Sequence, residues 1–312
     1  MSPRSAPVSL CQHLVALALQ NPVAGRHNIT TVTTSAGIVL AGGRSTRMGT
    51  PKAALEWHGI TLLRRTVGIV ARVVDGPVLV VHAPNQELPE LPESVLLVAD
   101  PVEGRGPLQG IGAGLTAVAD RAEVAFVCST DLPFLHPAFV RRVLTAFEPN
   151  VDVVLPDARG YRQPLAAAYR TALASRIAAL LDAGRRKPAM LFDECVVREL
   201  DDAALLADPR LAVADPELES VVNVNTPEEY RAARGRPAPQ IVVRRYGALA
   251  TGGDHGPRTV HAATLGAAAA AVGLTLDRHV VAAVDGDHIT RDPTTPLAAG
   301  DIVAFLSADA GG

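Results

Sequence analysis

A chain of 312 residues, 48% hydrophobic and 20% charged, has the composition of an ordinary globular protein and is long enough for two domains. Its formal net charge of −3 argues against a general nucleic-acid binder, which needs a basic surface overall. Its three cysteines, Cys11, Cys128 and Cys195, stand far apart and without CxxC spacing, so neither a disulfide framework nor a zinc site is expected and a cytoplasmic location fits. No apolar run reaches membrane-spanning length, so no membrane partner is expected.

Residues 1–34 include the apolar stretch Val8 to Leu19, interrupted by Gln12 and His13, which lacks the design of a secretion signal. They are read as an extension before the first domain. Ile38 to Leu55, IVLAGGRSTRMGTPKAAL, starts as an apolar strand, breaks into a Gly-Gly loop and ends in a helical pattern. A glycine loop at the carboxyl end of a strand offers bare backbone N–H groups to an anion. Gly42 and Gly43 allow close backbone approach, and Arg44, Arg47 and Lys52 place three positive charges within nine residues. This suits a polyphosphate. The spacing is neither the Walker GxxxxGK[ST] nor GxGxxG.

LAGGRSTRMGTPK resembles the LAGG-x-S-x-RMG-x-x-K signature of the sugar-nucleotidyltransferase-like superfamily, specifically the MobA-type molybdenum-cofactor guanylyltransferases. The resemblance implies a doubly wound domain that transfers GMP from GTP to the phosphate of molybdopterin, with Mg²⁺, releasing pyrophosphate. It assigns the backbone of Leu40, Ala41, Gly42 and Gly43 to the nucleotide and its phosphates. Arg47 and Lys52 would offset charge on the leaving pyrophosphate.

Downstream, strand-like runs alternate with helical patterns, which implies a mostly parallel α/β sheet covered on both faces. Helices are expected at Ile60 to Val74, Gly110 to Ala119, Pro137 to Phe147 and Thr171 to Ala183. Strands are expected at Val78 to Val81, Val95 to Ala99, Val124 to Cys128, Val151 to Leu155 and Leu165 to Tyr169. Ligands of such sheets collect at the carboxyl ends of strands, where Asp100 and Asp131 also stand. An acidic residue directly after a buried strand, as in FVCSTDLPF, is placed to hold Mg²⁺ beside a triphosphate. The resemblance assigns the same metal role to Asp131.

It also assigns Asp100 to the guanine base, and GPLQG resembles the GPLAG of guanylyltransferases. Gly110, Gly112 and Gly114 follow the wrong strand for a dinucleotide fingerprint, so close helix packing is the better reading. His82 stands where some members place an Asn near the nucleotide; a plain strand-end histidine is the alternative. Gln163, in Arg162-Gln163-Pro164, replaces the family's His. The cluster Gly184-Arg185-Arg186-Lys187 reads equally as an anion-facing patch or a solvated helix end. VVNVNTPEE resembles the family's closing segment, with Asn223 and Asn225 assigned near the second substrate. Thr226, Pro227 and Glu229 also spell a capping box.

After a Pro/Arg-rich link at 234–239, residues 240–312 carry their own pattern. Strands are expected at Ile241 to Tyr246, Thr259 to Ala262, Val280 to Val284, His288 to Thr290 and Ile302 to Leu306, with a helix at Leu265 to Val272. This β-β-α-β-β-β order is that of a ubiquitin-like (β-grasp) roll. VAAVDGDHITRDPTTPLAAGDIVAFLSADAGG resembles the second half of MoaD- and ThiS-type sulfur carriers, although it lacks the aromatic or proline residue often found before their Gly-Gly. The resemblance implies a tail, Gly311-Gly312, adenylated by an activating enzyme, converted to a thiocarboxylate and offered to the large subunit of molybdopterin synthase.

The expected whole is a nucleotidyltransferase domain over 35–233 followed by a small α+β domain over 240–312. A cytidylyltransferase of the same fold, or a non-catalytic nucleotide-binding protein, is the alternative.

Overall fold

The computed structural model describes residues 34–42, 51–100, 102, 105–250 and 256–307. An eight-stranded sheet organises the N-terminal part. Its strands are β1 (Ser35–Leu40), β4 (Val78–His82), β5 (Leu96–Ala99), β6 (Val124–Ser129), β7 (Val153–Ala158), β8 (Tyr161–Arg162), β9 (Ala166–Arg170) and β10 (Val197–Asp201); the intervening numbers β2 (Glu56–Trp57) and β3 (Ile60–Thr61) form a separate hairpin. The order is β10-β7-β9-β6-β1-β4-β5, with β8 paired to β7. β6, β1, β4 and β5 run parallel, whereas β9 enters antiparallel between β6 and β7.

Both faces are covered. On one, Val39, Val80 and Phe126 pack with Leu63, Val67 and Val70 of α1 (Leu62–Ala71) and Phe139 and Val140 of α3 (Pro137–Thr145). On the other, Ile38, Leu79 and Val127 meet Leu108, Ile111 and Leu115 of α2 (Pro107–Val118) and Ile177 of α4 (Ala174–Asp182). Neighbouring residues of one strand thus serve opposite cores, which is why these strands read as unbroken apolar runs.

The helical pattern expected after Lys52 is only a 3₁₀ turn, Lys52–Ala54, followed by the β2–β3 hairpin. His58 and Gly59 both adopt positive φ there (48° and 97°), the requirement of a tight two-residue hairpin turn. Helix α2 begins earlier than its apolar pattern suggested, because Gly106 caps it at φ 84° and Pro107 takes the first helical position. Its glycines serve packing, as expected: a Cβ on Gly112 would stand 2.7 Å from Ile177, and one on Gly114 2.6 Å from Ile38.

The C-terminal sheet has five strands: β11 (Gln240–Arg245), β12 (Arg258–His261), β13 (Val280–Val284), β14 (His288–Thr290) and β15 (Ile302–Ser307). Their order is β12-β11-β15-β13-β14, parallel between β11 and β15 and antiparallel elsewhere. Ile241, Val243, Val303 and Phe305 form a separate core with Leu265, Ala268 and Ala269 of a single helix, Leu265–Ala271. No helix among the described residues is long and apolar enough to cross a membrane.

One face of α1 joins the two parts. Arg72 forks onto Asp301 at 2.7 and 2.8 Å, with both side chains almost wholly buried, and reaches Asp285 at 2.9 Å. Arg64 pairs with Asp292 and donates from Nε to Thr294 at 3.0 Å. Arg65 is fully enclosed and gives its guanidinium to three carbonyls: Pro133 (2.6 Å), Leu135 (3.5 Å) and, across the junction, Leu297 (3.1 Å). Burial pushes it down to about 10, so it remains charged at neutral pH.

Candidate active site

The parallel run β5-β4-β1-β6 brings four strand ends to one edge of the sheet, and Leu40, Gly42, His82, Asp100 and Asp131 stand there. β1 ends at Leu40, opposite Val81 on one side and Ser129 on the other. The chain then continues beside β4, with Ala41 N–H donating to Val81 O at 2.8 Å. Gly42 lies against the next strand end: a Cβ there would come within 3.3 Å of the backbone N of Ala83. A side chain at this position would therefore be tight against the neighbouring backbone. Gly43, Arg44 and Arg47 lie outside the described residues.

Gln86 supports this edge and was not singled out from the sequence. Its amide donates to Ala41 O at 3.0 Å and accepts from Ala83 N–H at 3.0 Å, tying the ends of β1 and β4 together. His82 turns its Nδ1 to Ala83 O at 2.9 Å. Asp100 follows β5, its N–H bonded to His82 O at 2.7 Å and its Oδ1 accepting from Val102 N–H at 3.1 Å. Burial raises its carboxyl above the ordinary range, against the pull of that N–H. His82 and Asp100 therefore close the same edge from β4 and β5.

The densest polar arrangement lies between β1 and β6. Lys52 reaches Asp131 Oδ2 at 2.8 Å and Asn225 Oδ1 at 2.9 Å, bringing together residues far apart in the chain. Asp131 Oδ1 accepts from Ser129 Oγ, a second contributor missed in the sequence although its hydroxyl stands two positions before the carboxylate. Thr130 bonds Leu40 O through both its N–H (3.3 Å) and its hydroxyl (3.0 Å).

Asn223 is exposed, and the next residue, Val224, donates its N–H to Asp131 O at 3.0 Å. Asn225 is held by its own N–H on Glu229 Oε2, part of the capping box at Thr226 that starts the helix Pro227–Arg234. The closing segment is thus fastened against the loop after β6. Gln163 lies near the same edge, where Leu165 O accepts from Ser129 N–H at 3.1 Å. Its side chain is bonded to Ala158 O at 3.3 Å and its N–H to Pro156 O at 2.8 Å, so it shapes the β8–β9 turn. Of the basic cluster, Arg185 is paired with Glu194 at the surface, in keeping with a solvated helix end.

Among the described residues no group of three or more His, Cys, Asp or Glu side chains converges on one point. What exists instead is an oxygen pair, from Asp131 and Asn225, gathered around one cationic head. Magnesium commonly takes one or two protein oxygens and fills its remaining positions with phosphate oxygens and water, so this donor set fits a phosphate-bridging ion.

Residues 37–200 match the family described as the MobA-like NTP transferase domain. A probable molybdenum cofactor guanylyltransferase of Mycobacterium avium is 40% identical over 202 residues, spanning 63% of this chain and 93% of the relative. Its counterpart in Mycobacterium tuberculosis is 44% identical over 163 residues, spanning 51% and 79%. Among solved structures, molybdopterin-guanine dinucleotide biosynthesis protein A from Archaeoglobus fulgidus aligns with a TM-score of 0.51 at 22% identity, covering 64% of this chain and 96% of that one. At that identity the likeness is one of fold. By the extent of these matches, and with the strand-edge site they span, the chain belongs to the MobA-like NTP transferase domain family of nucleotidyltransferases.

Proposed function

We propose that the N-terminal part, residues 35–233, transfers GMP from GTP to the phosphate of molybdopterin and releases pyrophosphate. The convergence of Lys52, Asp131 and Asn225 at the carboxyl edge of β1 and β6 carries this reading. Relatives at 40–44% identity bear the name probable molybdenum cofactor guanylyltransferase, and Leu40, at the end of β1, bonds Thr130 next to Asp131.

An acceptor phosphate oxygen attacks the α-phosphorus of GTP. The bond from that phosphorus to the bridging oxygen breaks, and its electron pair leaves with pyrophosphate. No general base is needed, since a phosphate monoester is already ionised at neutral pH. The chain's contribution is positioning and charge neutralisation. Ala41 to Gly43 offer backbone to the nucleotide, and Lys52 and Arg47 offset charge growing on the leaving group. Asp131 and Asn225 would hold Mg²⁺, which supplies charge neutralisation at the phosphate oxygens. Asp100 is the acceptor for the donor edge of guanine.

The deciding experiment is pyrophosphate release from GTP and, separately, CTP, with Mg²⁺ and with or without molybdopterin. Release from GTP that requires molybdopterin is expected. Preference for CTP overturns the base assignment, and release from neither overturns the transferase reading.

Residues 240–312 form, in the same proposal, a ubiquitin-like (β-grasp) sulfur-carrier domain ending at Gly311-Gly312. A strand order with one parallel pair at its centre and one helix across a face supports the fold. Gly311 and Gly312 lie outside the described residues. β15 starts beside the Arg72–Asp301 pair and continues for six residues. At roughly 3.3 Å per residue this is about 20 Å. In this proposal the tail after β15 is offered to a separate activating enzyme and to a synthase large subunit.

A further inference from the structure

The loop from Asp131 to His136 is held almost entirely by groups outside it. Asp131 O accepts from Val224 N–H at 3.0 Å, and His136 N–H donates to Ser220 Oγ at 3.1 Å. Phe134 stands edge-on to Trp57 at 5.6 Å and beneath the Arg236 guanidinium, which belongs to the link between the two parts, at 4.5 Å. Arg65 takes Pro133 O and Leu135 O with Nε and Nη2, and its third bond goes to Leu297 O of the C-terminal part. His136 accepts from Ala138 N–H at Nδ1, which leaves a proton on Nε2 to donate to Ala299 O at 3.0 Å. Five of these restraints, from Ser220, Val224, Arg236, Leu297 and Ala299, come from beyond the family match at 37–200, and two of them, Leu297 and Ala299, from the C-terminal part.

Gly68 explains how the C-terminal part comes so close. It lies mid-way along α1, where glycine costs about 1 kcal/mol relative to alanine. A Cβ there would sit 2.5 Å from Pro296 Cγ, a clash with the edge of its ring. Nothing else in the helix requires a glycine; the docked proline does. Pro296 O in turn accepts from Arg72 at 3.3 Å.

We infer that the C-terminal part is a working component of the transferase site: seated on Gly68, it completes the Arg65 cage and thereby positions the loop that carries Asp131. Arg65 is a positioning residue, acting through the backbone carbonyls of Pro133, Leu135 and Leu297. This inference rests on the transferase reading above. Removing Leu297 O leaves a buried guanidinium one acceptor short, and the guanidinium relaxes at the expense of Pro133 O, two residues from Asp131.

The test uses the full-length Gly68→Leu chain, which keeps every catalytic group and raises the helix propensity of α1 while displacing Pro296. Three quantities are read: solution radius by small-angle scattering, amide exchange of 131–136, and turnover as a function of Mg²⁺. Expected are a larger radius, faster exchange in that loop, turnover lowered about tenfold by loss of positioning, and a higher half-saturating Mg²⁺, with the KM for GTP near wild type. Arg65→Gln should reproduce the exchange and Mg²⁺ effects, and Arg65→Lys should recover part of them. An expanded Gly68→Leu chain with wild-type exchange and Mg²⁺ dependence overturns the coupling. An unexpanded one with wild-type turnover overturns the docking surface itself. A wild-type chain without GTP-dependent release fails the transferase reading instead, while the radius and exchange results still decide the docking.

Discussion

The Lys52 ammonium lies 2.8 Å from the Asp131 carboxylate and 2.9 Å from the Asn225 amide oxygen. These groups come from the 3₁₀ turn Lys52–Ala54, the loop after β6 and the segment before the helix Pro227–Arg234. Without nucleotide, the lysine balances the charge that the carboxylate would otherwise hold alone in a partly enclosed site. In the proposed mechanism the same lysine turns to the phosphates once nucleotide and metal are bound.

Lys52→Ala should therefore lower turnover by about 10²- to 10³-fold, the scale of losing one preorganised charge-stabilising donor. The pair is partly open to water, so its contribution to folding is about 1 kcal/mol or less. Steady-state kinetics beside a urea melt separates the two; wild-type turnover would remove Lys52 from the mechanism.

Asp131→Asn should abolish Mg²⁺-dependent turnover and leave GTP binding partly intact. The amide keeps the hydrogen bond from Ser129 but loses the charge that the proposed mechanism uses to hold a divalent ion. Calorimetric GTP titration with and without Mg²⁺ reports both, and an unchanged metal dependence would place the ion elsewhere.

Asp285→Asn should change the pH dependence of stability. Burial and the neighbouring Asp301 carboxylate push the Asp285 carboxyl up from 3.8 to about 6, against the Ile302 N–H and Arg72. Between those values the folded chain holds a proton that the unfolded chain has lost, so the contribution of Asp285 to stability falls as pH rises through this window. Asparagine imitates the protonated form and tolerates the φ of 52°. The thermal midpoint of the variant, relative to wild type, should climb from pH 4 to pH 6 and level off above pH 7. A flat difference would show that the carboxyl titrates normally.

Deleting Gly311 and Gly312 should leave guanylyl transfer untouched and block adenylation of the chain by an activating enzyme. The residues that meet α1 across the junction, Asp285, Asp292, Thr294, Pro296, Leu297 and Asp301, all precede β15, so the deletion leaves them in place. Mass spectrometry of the adenylate tests the carrier role, and continued adenylation would refute it.

Much of this was legible in the chain. Apolar runs long enough for buried strands located β1, β4, β6 and β9, because burial on both faces requires unbroken hydrophobicity. The capping box at Thr226 was readable because it is a local pattern of hydrogen bonds over four residues. The helical pattern after Lys52 misled, since two positive-φ residues, His58 and Gly59, outweigh helix propensity there. The short strand β10 (Val197–Asp201) and the helices Pro188–Phe192, Asp202–Leu206 and Pro209–Ala214 went unpredicted; segments this short show too few turns for periodicity to register.

By itself the sequence determined the strand edge, its glycine loop, Lys52 and Asp131, because strand burial, tight backbone approach and charge at strand ends are written in neighbouring residues. Only the tertiary structure decided that Asn225 shares the Lys52 ammonium, that Gln86 ties two strand ends, and that Gly68 and Arg65 receive Pro296 and Leu297. Those partners lie between 45 and 232 positions apart. A hydrogen bond or a packed ring carries no record of its partner in one residue's own neighbourhood, so such pairings exist only once the chain has folded.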